Sequence, residues 1–373
     1  MSLLVAARMA GTCSLLLAVA GPLAAQLAGS VQLPAPSGPH RVGTTTWHWI
    51  DPARPDVLSA DPADVREIMA QLWYPAEPEL GAEAAPYSPL RHGLDAIRAN
   101  AVAAAPFDRD VEPAPLIVIC PAGGLGRHLY SALAEDLASH GYAVLATDSP
   151  HLNPTVYPDG RAIDPAPALV PSIDLVAGPA ERLDSALAQA TALGLGDLQL
   201  ALGHLERLRD GDPSGRLTGR LDLTRIGLIG HGLGGRVCGA VAAVDRRVRA
   251  YATMEGPPPR EVRRAGLEAA VAVLGSSALP STAWPILRQL VPVRRNDVLI
   301  VTLEGYGRDA LTDLSLIEPP APASRRDPRE GLVGIRSFLL AFFDRYVRSM
   351  GDRMALVRSA GFKVERYPKP ASR

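Results

Sequence analysis

The sequence predicts a doubly wound α/β fold, a mostly parallel sheet flanked by helices, and three observations predict it. Leu116-Ile-Val-Ile-Cys120 and Tyr142-Ala-Val-Leu-Ala-Thr147 are continuous apolar runs, as strands buried on both faces of a parallel sheet require. Between them lie a glycine-rich loop, Pro121-Ala-Gly-Gly-Leu-Gly126, and a helical stretch over 130–140 closed by Gly141, completing a βαβ unit. Farther on, Ile226-Gly-Leu-Ile-Gly-His-Gly-Leu-Gly-Gly235 reads as a third buried strand, a very tight turn, and a helix from about Leu233 to Asp245.

The remaining elements follow in order. Arg41–Trp49 is β-branched and aromatic and predicts the first strand, with Glu67–Tyr74 as an antiparallel partner ending at Pro75. The Pro- and Ala-rich segment 76–112 reads as a surface excursion, and 152–178 as irregular pocket-wall material. Helices are expected over 180–193 and 197–209, separated by Gly194 and Gly196. Arg249–Met254, Ala269–Leu274 and Asp297–Leu303 predict further strands, the last being the final one. Asp327-Pro-Arg-Glu330 then opens a helix with an N-cap Asp and Pro at N1. That helix carries Leu332, Ile335, Leu339, Phe342, Phe343 and Val347 on one face, which places it over the sheet.

Composition narrows the function. In a chain of 373 residues, 47% hydrophobic, no repeat, charge run or second compositional regime argues for more than one domain. A formal net charge of −1 with arginine dispersed along the chain leaves no electrostatic footprint for nucleic acid or an anionic membrane surface. Three cysteines make no disulfide framework, and Cys120 and Cys238 read as small buried hydrophobes. Residues 1–28 carry one early charge, Arg8, then an apolar run to Ala25, the pattern of a signal peptide or N-terminal membrane anchor. The expected organisation is therefore a leader over 1–28, a Pro-rich linker over 29–38 and one domain over 39–373, secreted or held in the cell envelope.

The turn at 230–235 has the layout of a nucleophile elbow, in which a serine stands on a strained strand-to-helix corner. The chain as a whole resembles the platelet-activating-factor acetylhydrolase and bacterial lipase/esterase group of α/β-hydrolases. The resemblance is carried by Val42-Gly-Thr-Thr-Thr46, Gln71-Leu-Trp-Tyr-Pro75, the loop 121–127 leading into Leu133–Tyr142, Tyr157-Pro-Asp-Gly-Arg161, the elbow, and Leu340-Ala-Phe-Phe-Asp344. It covers nearly everything after residue 36 and implies a triad in the chain order serine, acid, histidine.

By that resemblance the serine position is Gly232, the acid position Glu255, and the histidine position Arg308. The backbone N–H groups of Gly123 and Leu233 would form the oxyanion hole, helped by the N-terminus of the elbow helix. One observation is independent of any alignment: the histidines are His40, His48, His92, His128, His140, His151, His204 and His231, and none follows the elbow. Arginine cannot replace histidine as a general base, because it stays protonated. The alternatives for Arg308 are an ion pair with Glu255 or a side chain turned into the pocket.

Other chemistry is weaker. Ser149 and His151, at a strand end, read as a turn with satisfied side chains, and His231 as a supporting residue. Cys120 as a displaced nucleophile lacks the neighbouring base or cation a catalytic thiol needs. No metal-ligand spacing, P-loop or dinucleotide fingerprint is present, so no cofactor is expected. The sequence thus predicts a degenerate hydrolase that binds an acyl, ester or lipid-like molecule, or a protein partner, without turnover. Two alternatives stay open: an ester hydrolase with an unorthodox nucleophile, and a lyase or cyclase using the polarising pocket.

Overall fold

The structure is a computed structural model and describes residues 31–88, 94, 96–170, 178–321, 324–354 and 359–371. The expected leader, residues 1–28, lies outside them.

The sheet's parallel centre is built by the apolar runs. β1 (Val31–Gln32), β2 (Arg41–Pro55), β3 (Val65–Ala76), β4 (Ala84–Pro86) and β5 (Ile97–Ala103) form one wing. β6 (Ala114–Cys120) and β7 (Ala143–Asp148) follow, then a short hairpin of β8 (Thr155–Val156) and β9 (Ala162–Ile163) outside the main sheet. β10 (Leu221–His231), β11 (Val248–Met254), β12 (Ala270–Ser276), β13 (Val298–Leu303) and β14 (Phe362–Tyr367) complete it. The order is β1-β5-β2-β3-β7-β6-β10-β11-β12-β13-β14, with β4 paired to β5. From β7 to β13 every neighbouring pair is parallel, which puts the loops after β6, β10, β11 and β13 on the same edge.

Helices cover both faces, as two-sided burial of parallel strands demands. α1 (Ser131–Ser139) lies on one face, while α2 (Ala180–Ala186), α3 (Ala188–Gly211), α4 (Leu233–Val244), α5 (Arg260–Ala265) and α6 (Ala283–Leu287) follow it in the chain. α7 (Leu314–Ile317) and α8 (Pro328–Tyr346) come last. Leu133 and Leu137 of α1 share one core with Phe338 and Phe342 of α8. Leu198, Leu202 and Leu205 of α3 share the other with Val237 and Val241 of α4. Asp327 caps α8 by accepting the Arg329 N–H, as the sequence predicts.

Several expectations need correction. The segment 76–112 is not a surface excursion: β5 enters the sheet between β1 and β2, burying Ile97, Ala99 and Ala101. Its alternation is written mostly in alanine, which is too weakly apolar to mark a strand. The linker expected over 29–38 is docked where it is described. Val31 and Gln32 pair with β5, Leu33 is buried, and Ser37 and Gly38 donate to Asp136 and Ser139 of α1. Gly194 and Gly196 do not separate two helices. α3 runs through both, because a Cβ at Gly194 would lie 2.6 Å from Val237 Cγ2, so this glycine lets α3 and α4 approach closely. The interruption falls at Leu187 instead. Asp297–Leu303 is also not the final strand, since β14 pairs antiparallel with β13 as an edge whose Lys363, Glu365 and Arg366 are exposed.

Candidate functional site

The elbow begins where β10 is gripped on both sides, Ile229 lying opposite Ile119 of β6 and Ala252 of β11. The chain then reverses at Gly232, with φ 52° and ψ −116°, a conformation strongly disfavoured for residues with a Cβ. The Gly232 N–H donates to the Met254 carbonyl at 2.8 Å, fixing the corner against the end of β11. A Cβ at Gly232 would find only Ala122 near it, 3.5 Å away, so the corner keeps the space of a side chain without carrying one.

The loop after β6 is pinned beside this corner. Asn153 donates from Nδ2 to the carbonyls of Ala122 and Leu125 at 3.0 and 2.9 Å, and the Gly124 N–H donates to the Leu152 carbonyl at 2.8 Å. The Ala122 N–H is taken by the Tyr130 hydroxyl at 3.0 Å. Among the described residues, the N–H groups of Gly123 and Leu233 have no hydrogen-bond acceptor. Above them sits apolar material. Val170 and Leu233 close over Gly123, and Leu152, Leu169, Leu183, Leu187, Ala190 and Leu233 form a buried cluster of their own.

Glu255 follows β11 with φ 60°, and its side chain is only 2% exposed. Oε1 accepts from the Ser276 N–H at 2.9 Å and from the Ser276 hydroxyl. Oε2 accepts from Arg308 Nε at 2.6 Å. Arg308 stands in a single helical turn, Arg308–Leu311, after β13. Next to it Asp309 accepts from the Ala321 N–H and the Ser324 hydroxyl at 3.0 and 2.9 Å, and Ser324 also takes the Gly307 N–H at 3.0 Å. Of the two arrangements open in the sequence, the structure has the Glu255–Arg308 ion pair.

His231, next to the corner, has its Nδ1 2.9 Å from the Tyr130 hydroxyl. That hydroxyl also accepts the Ala122 N–H at 3.0 Å, tying the ring to the loop after β6. Burial pushes the His231 pKa down to about 4; nearby Glu255 opposes this and Arg308 adds to it. The ring is neutral near pH 7.

Ser149 and His151 are not joined to each other. His151 Nε2 lies 3.3 Å from Asp56, and the Ser149 N–H donates to Asn153. Cys120 and Cys238 are buried free thiols. Among the described residues, no three His, Cys, Asp or Glu side chains converge as metal ligands would.

Sequence reading missed four supporting residues: Asn153, Tyr130, Ser276 and Asp184. Asp184 of α2 accepts from Arg236 of α4 at 2.7 Å and from Arg263 of α5 at 3.1 and 2.7 Å, clasping α2 to the elbow helix. Burial works against the Asp184 carboxylate, but the two guanidinium groups prevail and hold its pKa below the usual range. None of the four has a sequence signal, because each acts on a partner distant in the chain.

A ferulic acid esterase from Streptomyces cinnamoneus has a similar structure, with a TM-score of 0.71 and 29% identity, covering 90% of this chain and 99% of that one. The chain has the α/β-hydrolase fold. It is an esterase-like α/β-hydrolase. No family model matches the sequence, and no curated protein matches it either.

Proposed function

We propose that the chain is a catalytically degenerate relative of the platelet-activating-factor acetylhydrolase-like and bacterial lipase/esterase group. It binds an acyl or lipid-like ligand, or a partner, without hydrolysing it. One observation carries this reading. The elbow keeps its strained backbone around Gly232, which offers no nucleophile, while Arg308 occupies the histidine position and is bound to Glu255. The acid is thereby committed to a cation that cannot accept a proton. What remains is a binding apparatus: two backbone donors at Gly123 and Leu233 under an apolar roof.

The similar protein is an esterase of ferulic acid, which supports an ester-like small molecule or its acid as the ligand class. A displaced cysteine nucleophile is disfavoured, since Cys120 sits in the buried core with Cys238. Residues 1–28 would export or anchor the protein.

Fluorophosphonate labelling of the purified protein, read by intact mass and peptide mapping, tests the reading. We expect no adduct while a triad-intact relative labels fully, and no turnover of short p-nitrophenyl esters. A mapped adduct would name an active nucleophile and replace this reading with that of a working esterase.

A further inference from the structure

We infer that the site recognises a carboxylate, so that its ligand is the free acid of an amphiphilic or aromatic molecule rather than the ester. The inference rests on the non-hydrolytic reading above and adds the charge of the ligand.

Its first support is the way Arg308 is used. A guanidinium has five N–H donors in a planar fork. Arg308 gives Nε–H to Glu255 and makes no other hydrogen bond among the described residues. Nη1 and Nη2 are therefore unspent on a side chain that is 42% exposed. That pair of nitrogens matches the two oxygens of a carboxylate, the arrangement in which charge-assisted hydrogen bonds are strongest. Glu255 meanwhile has both oxygens occupied, by Ser276 and by Arg308 Nε. It holds the guanidinium in place without consuming its outer edge.

The second support is the donors around the corner. Among the described residues the N–H groups of Gly123 and Leu233 have no acceptor, and Leu233 is the first residue of a helix long enough to carry a positive N-terminal end. His231 is 6% exposed beside the corner, its Nδ1 2.9 Å from the Tyr130 hydroxyl. Gly232 keeps the opening clear, where a serine hydroxyl would stand in a working esterase. Beside Gly123, Val170 and Leu233 present apolar atoms to the same corner.

Isothermal titration of the full chain with butyrate, decanoate and benzoate, each beside its methyl ester, tests this. At least one acid should bind about tenfold or more tightly than its ester, the preference a charge-assisted contact confers. Arg308→Gln should remove that preference. Because this variant strands the buried Glu255, the double variant Glu255→Gln with Arg308→Gln is measured alongside, and it should lose the preference too. Acid and ester binding equally, or a preference surviving in both variants, would overturn the carboxylate inference and leave the non-hydrolytic reading standing. Release of acid from the methyl esters would overturn that reading itself, and no binding by either class would overturn the carboxylate inference.

Discussion

Arg308 reaches across the end of β12 to place its Nε 2.6 Å from Oε2 of Glu255, joining the loops that follow β13 and β11. The contact is unequal. Glu255 is buried and fully bonded, whereas Arg308 is half in solvent with one donor engaged. A buried carboxylate needs a partner far more than an exposed guanidinium does. The pair therefore holds the acid in position and, among the described residues, leaves the other nitrogens of the arginine unengaged.

Restoring the two missing residue types should restore chemistry. Gly232→Ser has room, since only Ala122 approaches the new Cβ, although φ of 52° will cost about 1 kcal/mol of stability in strain. Combined with Arg308→His, which gives Glu255 an imidazole to orient, it should create p-nitrophenyl ester turnover about a hundredfold or more above the uncatalysed background. A folded double variant with no turnover would mean the pocket has been remodelled beyond the triad.

The clasp at Asp184 should be essential to stability. Arg236 and Arg263 are each 4% exposed, and Asp184 is the carboxylate they share. Asp184→Asn leaves two buried cations without their counter-charge and should destabilise the fold by about 3 kcal/mol. Urea unfolding of the variant and parent measures this. A loss below about 0.5 kcal/mol, the range of ordinary surface changes, would show that α2 is not held by this contact.

Acid sensitivity should trace in part to His231. Its folded pKa of about 4 lies below the ordinary value of 6.5, so the unfolded chain binds the proton first. The stability that neutral His231 contributes is present above pH 6.5 and is lost as pH falls toward 4. Linkage puts the loss between pH 7 and pH 5 at about 2 kcal/mol. Denaturant titrations at the two pH values should show a smaller difference for His231→Gln than for the parent. An unchanged difference would assign the acid sensitivity to other groups.

Supporting residues and site positions differ in how far they could be read. The corner at Gly232 was legible, because the strand, tight turn and helix around it keep a recognisable local pattern. Asn153 and Ser276 were not. Asn153 holds carbonyls about thirty residues upstream, and Ser276 holds Glu255 from the next strand. An amide or hydroxyl in a turn looks the same whether it bonds to water or to a loop across the fold.

By itself the sequence determined the fold class, where the central strands lie along the chain, and the absence of any histidine after the elbow. Continuous apolar runs bury two faces, tight glycine turns close βαβ units, and residue identity needs no coordinates. Tertiary structure alone decided that β5 and β14 join the sheet, that α3 runs unbroken through Gly194, and that Arg308 pairs with Glu255. Those outcomes depend on what lies opposite in space: a neighbouring strand edge for alanine-rich or charged segments, Val237 against a glycine, and a buried carboxylate within reach of a guanidinium.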